Sequence, residues 1–128
     1  MFLLLVMIQC HIIDDYYLQS ILAKLTQKKF WQKNAPQPLY KYDYICALIC
    51  HAFSWAFIIM LPIAIRAYVC KSALSTSFFA FFAANLLVHA CVDNEKANKL
   101  RINLCTDQLI HLVQIIITWV CLYWRFYK

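Results

Sequence analysis

The residues of this sequence that could carry chemistry are histidines and aspartates spaced four positions apart. Three such pairs occur: His11/Asp15, His89/Asp93 and Asp107/His111. Residues at positions i and i+4 lie on the same face of an α-helix, about 6 Å apart along its axis. Each pair therefore predicts one imidazole and one carboxylate that can act together, provided that its segment is helical.

Histidine and aspartate together are typical ligands of Zn, Mn or Fe, whereas an all-oxygen set suits Mg or Ca. With His51 as a fourth histidine, we predict seven metal ligands: His11, Asp15, His51, His89, Asp93, Asp107 and His111. They could hold one divalent ion, with the remaining carboxylates hydrogen-bonded to the histidines, or two ions. The sequence leaves the catalytic residue unknown, with the candidates Asp15, Asp93 and Gln19. The candidates for substrate binding are Lys96, Arg101, Gln108 and Gln19.

The segments that carry these pairs are very apolar. Of 128 residues, 64% are hydrophobic and 14% are charged, against about 25% charged residues in soluble domains. The sequence has no glycine, which the turns of an all-β protein need, so we predict an all-α fold. Four segments are long and apolar enough to cross a bilayer core of about 30 Å: 2–22, 44–68, 75–93 and 105–124. They predict a single integral membrane domain, 1–128, built as a four-helix transmembrane bundle.

The basic residues predict how this bundle is oriented. Eight Lys and Arg residues fall in the first and third connectors, and four fall in the second connector and the C-terminus. The positive-inside rule then places both termini outside and the first and third connectors in the cytoplasm. In every pair the histidine then lies deeper in the membrane than the aspartate, whichever comes first in the sequence. We therefore expect one His/Asp layer near the cytoplasmic side, with Asp14 pointing away from Asp15 toward an interfacial cation.

Charge and cysteine content exclude other classes of protein. The net charge of +6 could indicate a nucleic-acid binder, but the basic residues flank the spans and no nucleic-acid motif occurs. We predict membrane lipid as the partner, no nucleic acid, and association with a second copy or with another membrane protein. The seven cysteines include no Cys-x-x-Cys, so most are predicted to be small apolar side chains between packed helices rather than disulfides or zinc ligands.

Four stretches of the sequence resemble a known family. HIIDDYYLQ (11–19), His51, HACVDNEK (89–96) and DQLIH (107–111) are similar to motifs of the domain of unknown function 3307 family, which contains small phage and bacterial membrane proteins. The resemblance covers nearly the whole chain, and Asp14 departs from the apolar residue expected at its position. It implies that these residues belong to one site and suggests a phage or prophage origin, but it implies no activity. We predict an integral protein of the bacterial inner (plasma) membrane.

Three functions fit these residues. The leading hypothesis is a metal-dependent hydrolase acting on a lipid or lipid phosphate at the cytoplasmic leaflet, since a metal ion can activate water and polarise a phosphoryl or acyl oxygen. The alternative is a non-enzymatic phage or bacterial membrane effector, for example in lysis timing or superinfection exclusion, with a structural metal. The third is a proton or metal-ion conduit. A conduit needs polar residues along its whole path through the membrane. The stretches FIIMLPIAI (57–65) and IIITWVCL (115–122) are almost entirely apolar, so the conduit ranks last.

Overall fold

The structure, a computed structural model, describes residues 1–123, and over these residues the chain is helical without any strand. Its six α-helices are α1 (Phe2–Ile13), α2 (Ser20–Leu25), α3 (Lys28–Asn34), α4 (Asp43–Val69), α5 (Thr76–Ala97) and α6 (Leu104–Tyr123). A π-helical turn (Asp14–Leu18) follows α1, and a 3-10 turn (Pro38–Tyr40) precedes α4. The predicted all-α fold is confirmed for the described part of the chain. The predicted end of the last span, at residue 124, lies outside it.

Three helical segments among the described residues are long and apolar enough to cross a membrane. They are Pro38–Val69, Thr76–Ala97 and Leu104–Tyr123, with mean hydropathies of 2.2, 1.4 and 1.5. These segments correspond to the second, third and fourth predicted spans. Their length and composition are consistent with a membrane location.

The first predicted span, 2–22, is not one continuous α-helix. α1 has 12 residues, which rise about 18 Å and fall short of a bilayer core of about 30 Å. After α1 the chain widens into the π-helical turn, and the regular helix breaks at Gln19, which has φ −110° and ψ 19°. A fourth membrane span is therefore not confirmed.

Helices α1, α4, α5 and α6 pack around one core. α1 lies against α4 and α6, and α5 lies against the same two helices. The buried face of α4 repeats every four residues through His51, Trp55, Ile59 and Ile63, as expected for a helix that faces a core on one side. The ring of His51 contacts that of His89 on α5, whereas Ile59 and Ile63 belong to an apolar cluster. The core is thus divided into a polar half and an apolar half.

The outside of the long helices is apolar. Leu5, Phe53, Leu87 and Leu109 are each more than half exposed, while the predicted histidine and aspartate ligands lie inside. Hydrocarbon solvates such a surface, whereas water would favour its association with other apolar surfaces. The pattern is consistent with a membrane protein whose ionisable residues face inward. Six of the seven cysteines, all within the described residues, are also exposed, so the prediction that most lie between packed helices is wrong.

Helix α4 ends at a left-handed residue that is not glycine. Lys71 has φ 53°, its N–H donates to the Tyr68 carbonyl over 3.0 Å, and the Ser72 N–H donates to the Ala67 carbonyl over 2.8 Å. These two hydrogen bonds form a Schellman motif, whose left-handed position is usually glycine because Cβ disfavours a positive φ. The chain contains no glycine, so a lysine occupies the position.

We predict that Lys71→Gly stabilises the protein by about 1 kcal/mol, because glycine adopts a positive φ without the contact between Cβ and the carbonyl oxygen. The measurement is the free energy of unfolding in bicelles. Ser72→Gly, one residue later, is the matched control and should give no stabilisation. Equal effects of the two substitutions would contradict the role of the left-handed position.

Candidate metal centre

The carboxylate of Asp93 on α5 is the meeting point of three histidines from three helices. The Nε2 atoms of His51 and His89 lie 2.7 Å and 3.3 Å from Asp93 Oδ2. The Nε2 atom of His111 lies 3.4 Å from the other oxygen, Oδ1. All four side chains are buried, so their charges and lone pairs must be compensated inside the protein rather than by solvent.

The three i, i+4 pairs share helix faces, as their spacing predicts. The nitrogen–oxygen distances are 3.5 Å in His11/Asp15, 3.3 Å in His89/Asp93 and 3.5 Å in Asp107/His111. The pairs of α5 and α6 come to the same level, with the rings of His89 and His111 side by side, although their sequence order is reversed. The prediction that the histidines of the pairs lie in one layer is therefore confirmed for α5 and α6.

The four imidazoles form one layer. Ring centroids are 4.1 Å apart for His89 and His111, 5.1 Å for His51 and His89, and 5.8 Å for His11 and His111. The indole of Trp55 covers this layer and stacks on His89 with a centroid separation of 4.2 Å. Trp55 was not among the residues predicted from the i, i+4 spacing, although it follows His51 by four residues on the same helix face.

Within residues 1–123, two groups of side chains bring ligand atoms close enough to hold a metal ion. One group is Asp15, His51 and His89, and the other is His89, Asp93 and His111, with the ligand atoms of each group within 4.8 Å of one another. Each group offers two imidazoles and one carboxylate, a set found in zinc and non-haem iron sites. Five of the seven predicted ligands thus lie together, and His89 belongs to both groups.

The distances within the second group fit a shared ion. Ligand atoms placed tetrahedrally at about 2.1 Å from an ion lie about 3.4 Å from one another. The Nε2 atoms of His89 and His111 lie 3.3 Å and 3.4 Å from the oxygens of Asp93. Each imidazole therefore already has the spacing to the Asp93 carboxylate that two ligands of one ion would have.

Four buried ligand-type atoms in this region make no hydrogen bond with any described residue: Asp15 Oδ1, His89 Nε2, Asp107 Oδ1 and His111 Nε2. A buried polar atom without a partner costs about 1–3 kcal/mol, so such atoms need an explanation. Asp107 Oδ1 and His111 Nε2 are 3.5 Å apart without the geometry of a hydrogen bond. A cation satisfies electron-pair donors that face each other in this way, so the residues present fit a divalent metal ion.

Two glutamines orient two of the histidines. His51 Nδ1 donates a hydrogen bond to Gln19 Oε1, and His111 Nδ1 donates one to Gln114 Oε1 over 3.1 Å. A neutral imidazole that donates from Nδ1 carries its lone pair on Nε2. In both rings Nε2 faces carboxylates. Metal-binding histidines commonly donate their other N–H to an oxygen in this manner, which fixes the tautomer and the orientation of the ring.

His11 is held differently from the other three histidines. Its Nδ1 accepts a hydrogen bond from the indole N–H of Trp55 over 2.8 Å, and its Nε2 lies 3.0 Å from Gln108 Oε1. Because an indole N–H can only donate, Nε2 of His11 carries the proton that Gln108 accepts. Both ring nitrogens are engaged, and His11 lies outside the two ligand groups. Gln108 in turn donates to Asp15 Oδ2 over 3.3 Å and to Asp107 Oδ2 over 3.1 Å.

Asp14 is fully buried, so the prediction that it points outward toward a cation is wrong. Its carboxylate accepts hydrogen bonds from Ser54 Oγ over 3.0 Å and from Gln19 Nε2. The reason is the π-helical turn, whose i→i+5 hydrogen bonds widen the helix, so that Asp14 and Asp15 both face the core. Asp14, Gln19 and His51 consequently form one chain of hydrogen bonds.

An open cavity of about 430 Å³ adjoins the ligand groups, within the roughly 300–1,000 Å³ of small-molecule sites. Asp15, His51 and Asp93 of the ligand groups line it. Lys96 and Gln108, both predicted to bind substrate, line it as well. The cavity therefore connects the candidate metal centre with a cationic and an amide side chain.

The other two predicted substrate-binding residues lie elsewhere. Arg101 has an exposed side chain, and its guanidinium pairs with Glu95 over 3.4 Å. Gln19 is buried against His51. Neither residue lines the cavity beside the ligand groups in the described part of the chain. Arg101 therefore forms an exposed ion pair with Glu95, and Gln19 holds the ring of His51 in position.

Sequence reasoning missed a second polar cluster in the core. Asn85 Nδ2 donates to Thr118 Oγ1 over 2.8 Å, and Gln114 Nε2 donates to the Asn85 carbonyl over 3.3 Å. Asn85 precedes His89 by four residues, and Gln114 follows His111 by three. Extending the face of each His/Asp pair by one helical turn would have found both residues.

We predict that the purified protein binds a divalent transition metal and that Asp93→Ala weakens the binding at least ~10-fold, because three imidazoles approach this carboxylate. The measurement is elemental analysis, followed by titration of Zn²⁺ and Mn²⁺ into protein stripped of metal. His11→Gln is the matched control and should keep the metal. A wild type without metal that stays folded in a chelator, or equal losses in both variants, would contradict this assignment.

Comparison with known proteins assigns no family to this chain. No family model, no curated protein and no solved structure matches it. The resemblance to the domain of unknown function 3307 family therefore stays a prediction that depends on the quoted motifs.

Proposed function

We propose that the protein is a membrane-embedded, metal-dependent hydrolase that acts on a lipid phosphate or lipid ester at the cytoplasmic leaflet. The observation that carries this proposal is the set of buried ligand atoms without a partner among the described residues, one of which, Asp15 Oδ1, belongs to a residue that lines an open cavity. A divalent metal held by imidazole and carboxylate activates water near neutral pH and polarises a phosphoryl or acyl oxygen. Catalytic metal sites keep an open side, whereas structural zinc sites are closed by protein ligands.

The side chains of the cavity suit this reaction class. With the ion in the group of His89, Asp93 and His111, Asp15 Oδ1 has no hydrogen-bond partner among the described residues and belongs to a residue that lines the cavity, so it is placed to accept a proton from water. The ammonium of Lys96 also lines the cavity and can bind a phosphate oxygen. It pairs with Asp107 over 2.5 Å, which holds the cation in place. Gln19 acts through His51, whose ring it orients, as a positioning residue.

The proposal includes a four-helix transmembrane bundle in the bacterial inner membrane, with α1 as its fourth member. In support, α1 is apolar and packs against α4 and α6 in the same core. Both termini lie outside in this arrangement, because eight of the twelve basic residues fall in the connectors assigned to the cytoplasm. The His/Asp layer then lies near the cytoplasmic headgroups, where a phosphate substrate is available.

A structural metal in a non-enzymatic phage or bacterial membrane effector is the second candidate function. The observation that favours it is the origin of the ligands in four separate elements. Asp15 comes from the turn after α1, His51 from α4, Asp93 from α5 and His111 from α6. An ion in the first group would tie the turn after α1 to α4 and α5, and an ion in the second group would tie α5 to α6.

The core gives less support to a proton or metal-ion conduit. One turn after Thr118, α6 buries Leu122, and the facing part of α4 buries Met60 and Ile63. The buried residues that the structure describes in this part of the core are therefore apolar. A relay of ionisable residues would need to continue through this region.

We predict that the metal-loaded protein releases inorganic phosphate from a lipid phosphate, or fatty acid from a phospholipid, in mixed micelles. His89→Ala removes the ring common to both ligand groups and should lower kcat at least ~100-fold. Even the mutation of a residue that is only hydrogen-bonded to a metal ligand typically lowers metal affinity or activity about 10–100-fold. The measurement is product release over a panel of lipid phosphates and esters.

Asp43→Asn at the start of α4 is the control for this experiment, because it changes an ionisable residue that lies outside both ligand groups. It should keep the activity of the wild type. Bound metal without hydrolysis of any substrate on the panel would contradict the hydrolase and favour the structural metal.

A further inference from the structure

A lateral groove of about 550 Å³ lies between α1 and α6. Ile8 and Ile12 of α1 and Leu112 of α6 line its apolar part, and Tyr16 and Gln108 line its polar part. Both helices carry exposed apolar side chains on their outer faces. In a membrane the groove would therefore open toward lipid hydrocarbon.

The groove adjoins the cavity of the candidate metal centre. Tyr16 and Gln108 line both of them. Gln108 is also hydrogen-bonded to His11 and to both Asp15 and Asp107. A molecule that occupies both spaces would pass these two side chains, with its apolar part between the helices and its polar part beside the ligand groups.

A second groove, between α4 and α5, provides a contrast. It has about 310 Å³ and is lined by apolar residues, among them Phe53, Phe57 and Phe79. Among the described residues it shares no lining side chain with the cavity of the metal centre. Of these two grooves, only the one between α1 and α6 shares lining residues with the cavity of the candidate metal centre in the described part of the chain.

We infer that the groove between α1 and α6 binds the alkyl chain of an anionic phosphate lipid, whose phosphate lies in the cavity beside Lys96. This inference rests on the proposed function and adds the surface that selects a membrane lipid over a water-soluble phosphate ester. The apolar wall accounts for the chain. Lys96, which pairs with Asp107, offers an ammonium to the phosphate, and the divalent ion of the proposed function would offset the carboxylates of Asp15 and Asp93 that line the same cavity. A helix from a second copy would cover the apolar wall but would leave the polar end of the groove unused.

The test is photolabelling with a long-chain alkyl phosphate that carries a diazirine in its chain. The wild-type protein is irradiated with the probe in phospholipid vesicles, and labelled peptides are mapped by mass spectrometry. We expect the label on residues 8–17 and 108–112. Leu112→Trp and, separately, Ile8→Trp should lower this labelling about tenfold, because the larger side chain removes the burial of about two methylene groups.

Phe79→Trp is the matched control, since it narrows the other groove by the same kind of substitution and should leave the labelling unchanged. Label concentrated on the groove between α4 and α5, or spread evenly over all apolar faces, would overturn the inference. So would cross-links between two copies through α1 and α6, which would assign this surface to a dimer.

Metal content, measured on the same samples, separates this inference from the proposed function. Metal-loaded protein without label in the α1/α6 groove overturns the lipid site alone. Label in the groove of a protein that holds no metal supports the lipid site and overturns the hydrolase. The Trp variants should keep the metal of the wild type, which shows that they are folded around the same centre.

Discussion

The burial of the Asp93 carboxylate is the constraint on which the rest of the structure depends. A carboxylate without solvent carries a desolvation penalty of several kcal/mol unless partners offset it. Three imidazoles, from α4, α5 and α6, approach its two oxygens. These helices must therefore meet at one level, and α1 completes the core by contributing His11 and the turn that carries Asp15. The apolar half of the core forms where the same helices continue beyond the polar layer.

Amide side chains, rather than further charges, arrange the groups around this carboxylate. Gln19 and Gln114 accept from two histidines, and Gln108 links His11 to two carboxylates. An amide offers both a donor and an acceptor without a net charge, so it can orient ionisable groups without adding another buried ion. The result is a site whose lone pairs converge beside an open cavity. Buried lone pairs without a donor are costly, and a bound metal ion, as proposed, would satisfy them.

Much of this arrangement could be predicted from the sequence, and the exceptions have local causes. The i, i+4 spacing predicts which imidazole and carboxylate share a face, because a regular helix repeats every 3.6 residues. The rule fails in the π-helical turn, where Asp14 joins Asp15 in facing the core. A partner forty residues away, Ser54, binds Asp14 in that turn. Such a distant partner leaves no periodic signal in the sequence near Asp14, so both the turn and the break in the first predicted span escaped prediction.

The sequence by itself determined the helical class, the long apolar segments and the pairing of histidine with aspartate on single helix faces. These properties depend on composition and on the fixed rise of a helix, which act over a few residues. Tertiary structure alone decided which lone pairs are available on two histidines: Trp55 and Gln108 engage both nitrogens of His11, while Gln19 directs Nε2 of His51 toward carboxylates. The state of an imidazole depends on the donors and acceptors that face it, and for these two histidines they come from distant parts of the chain.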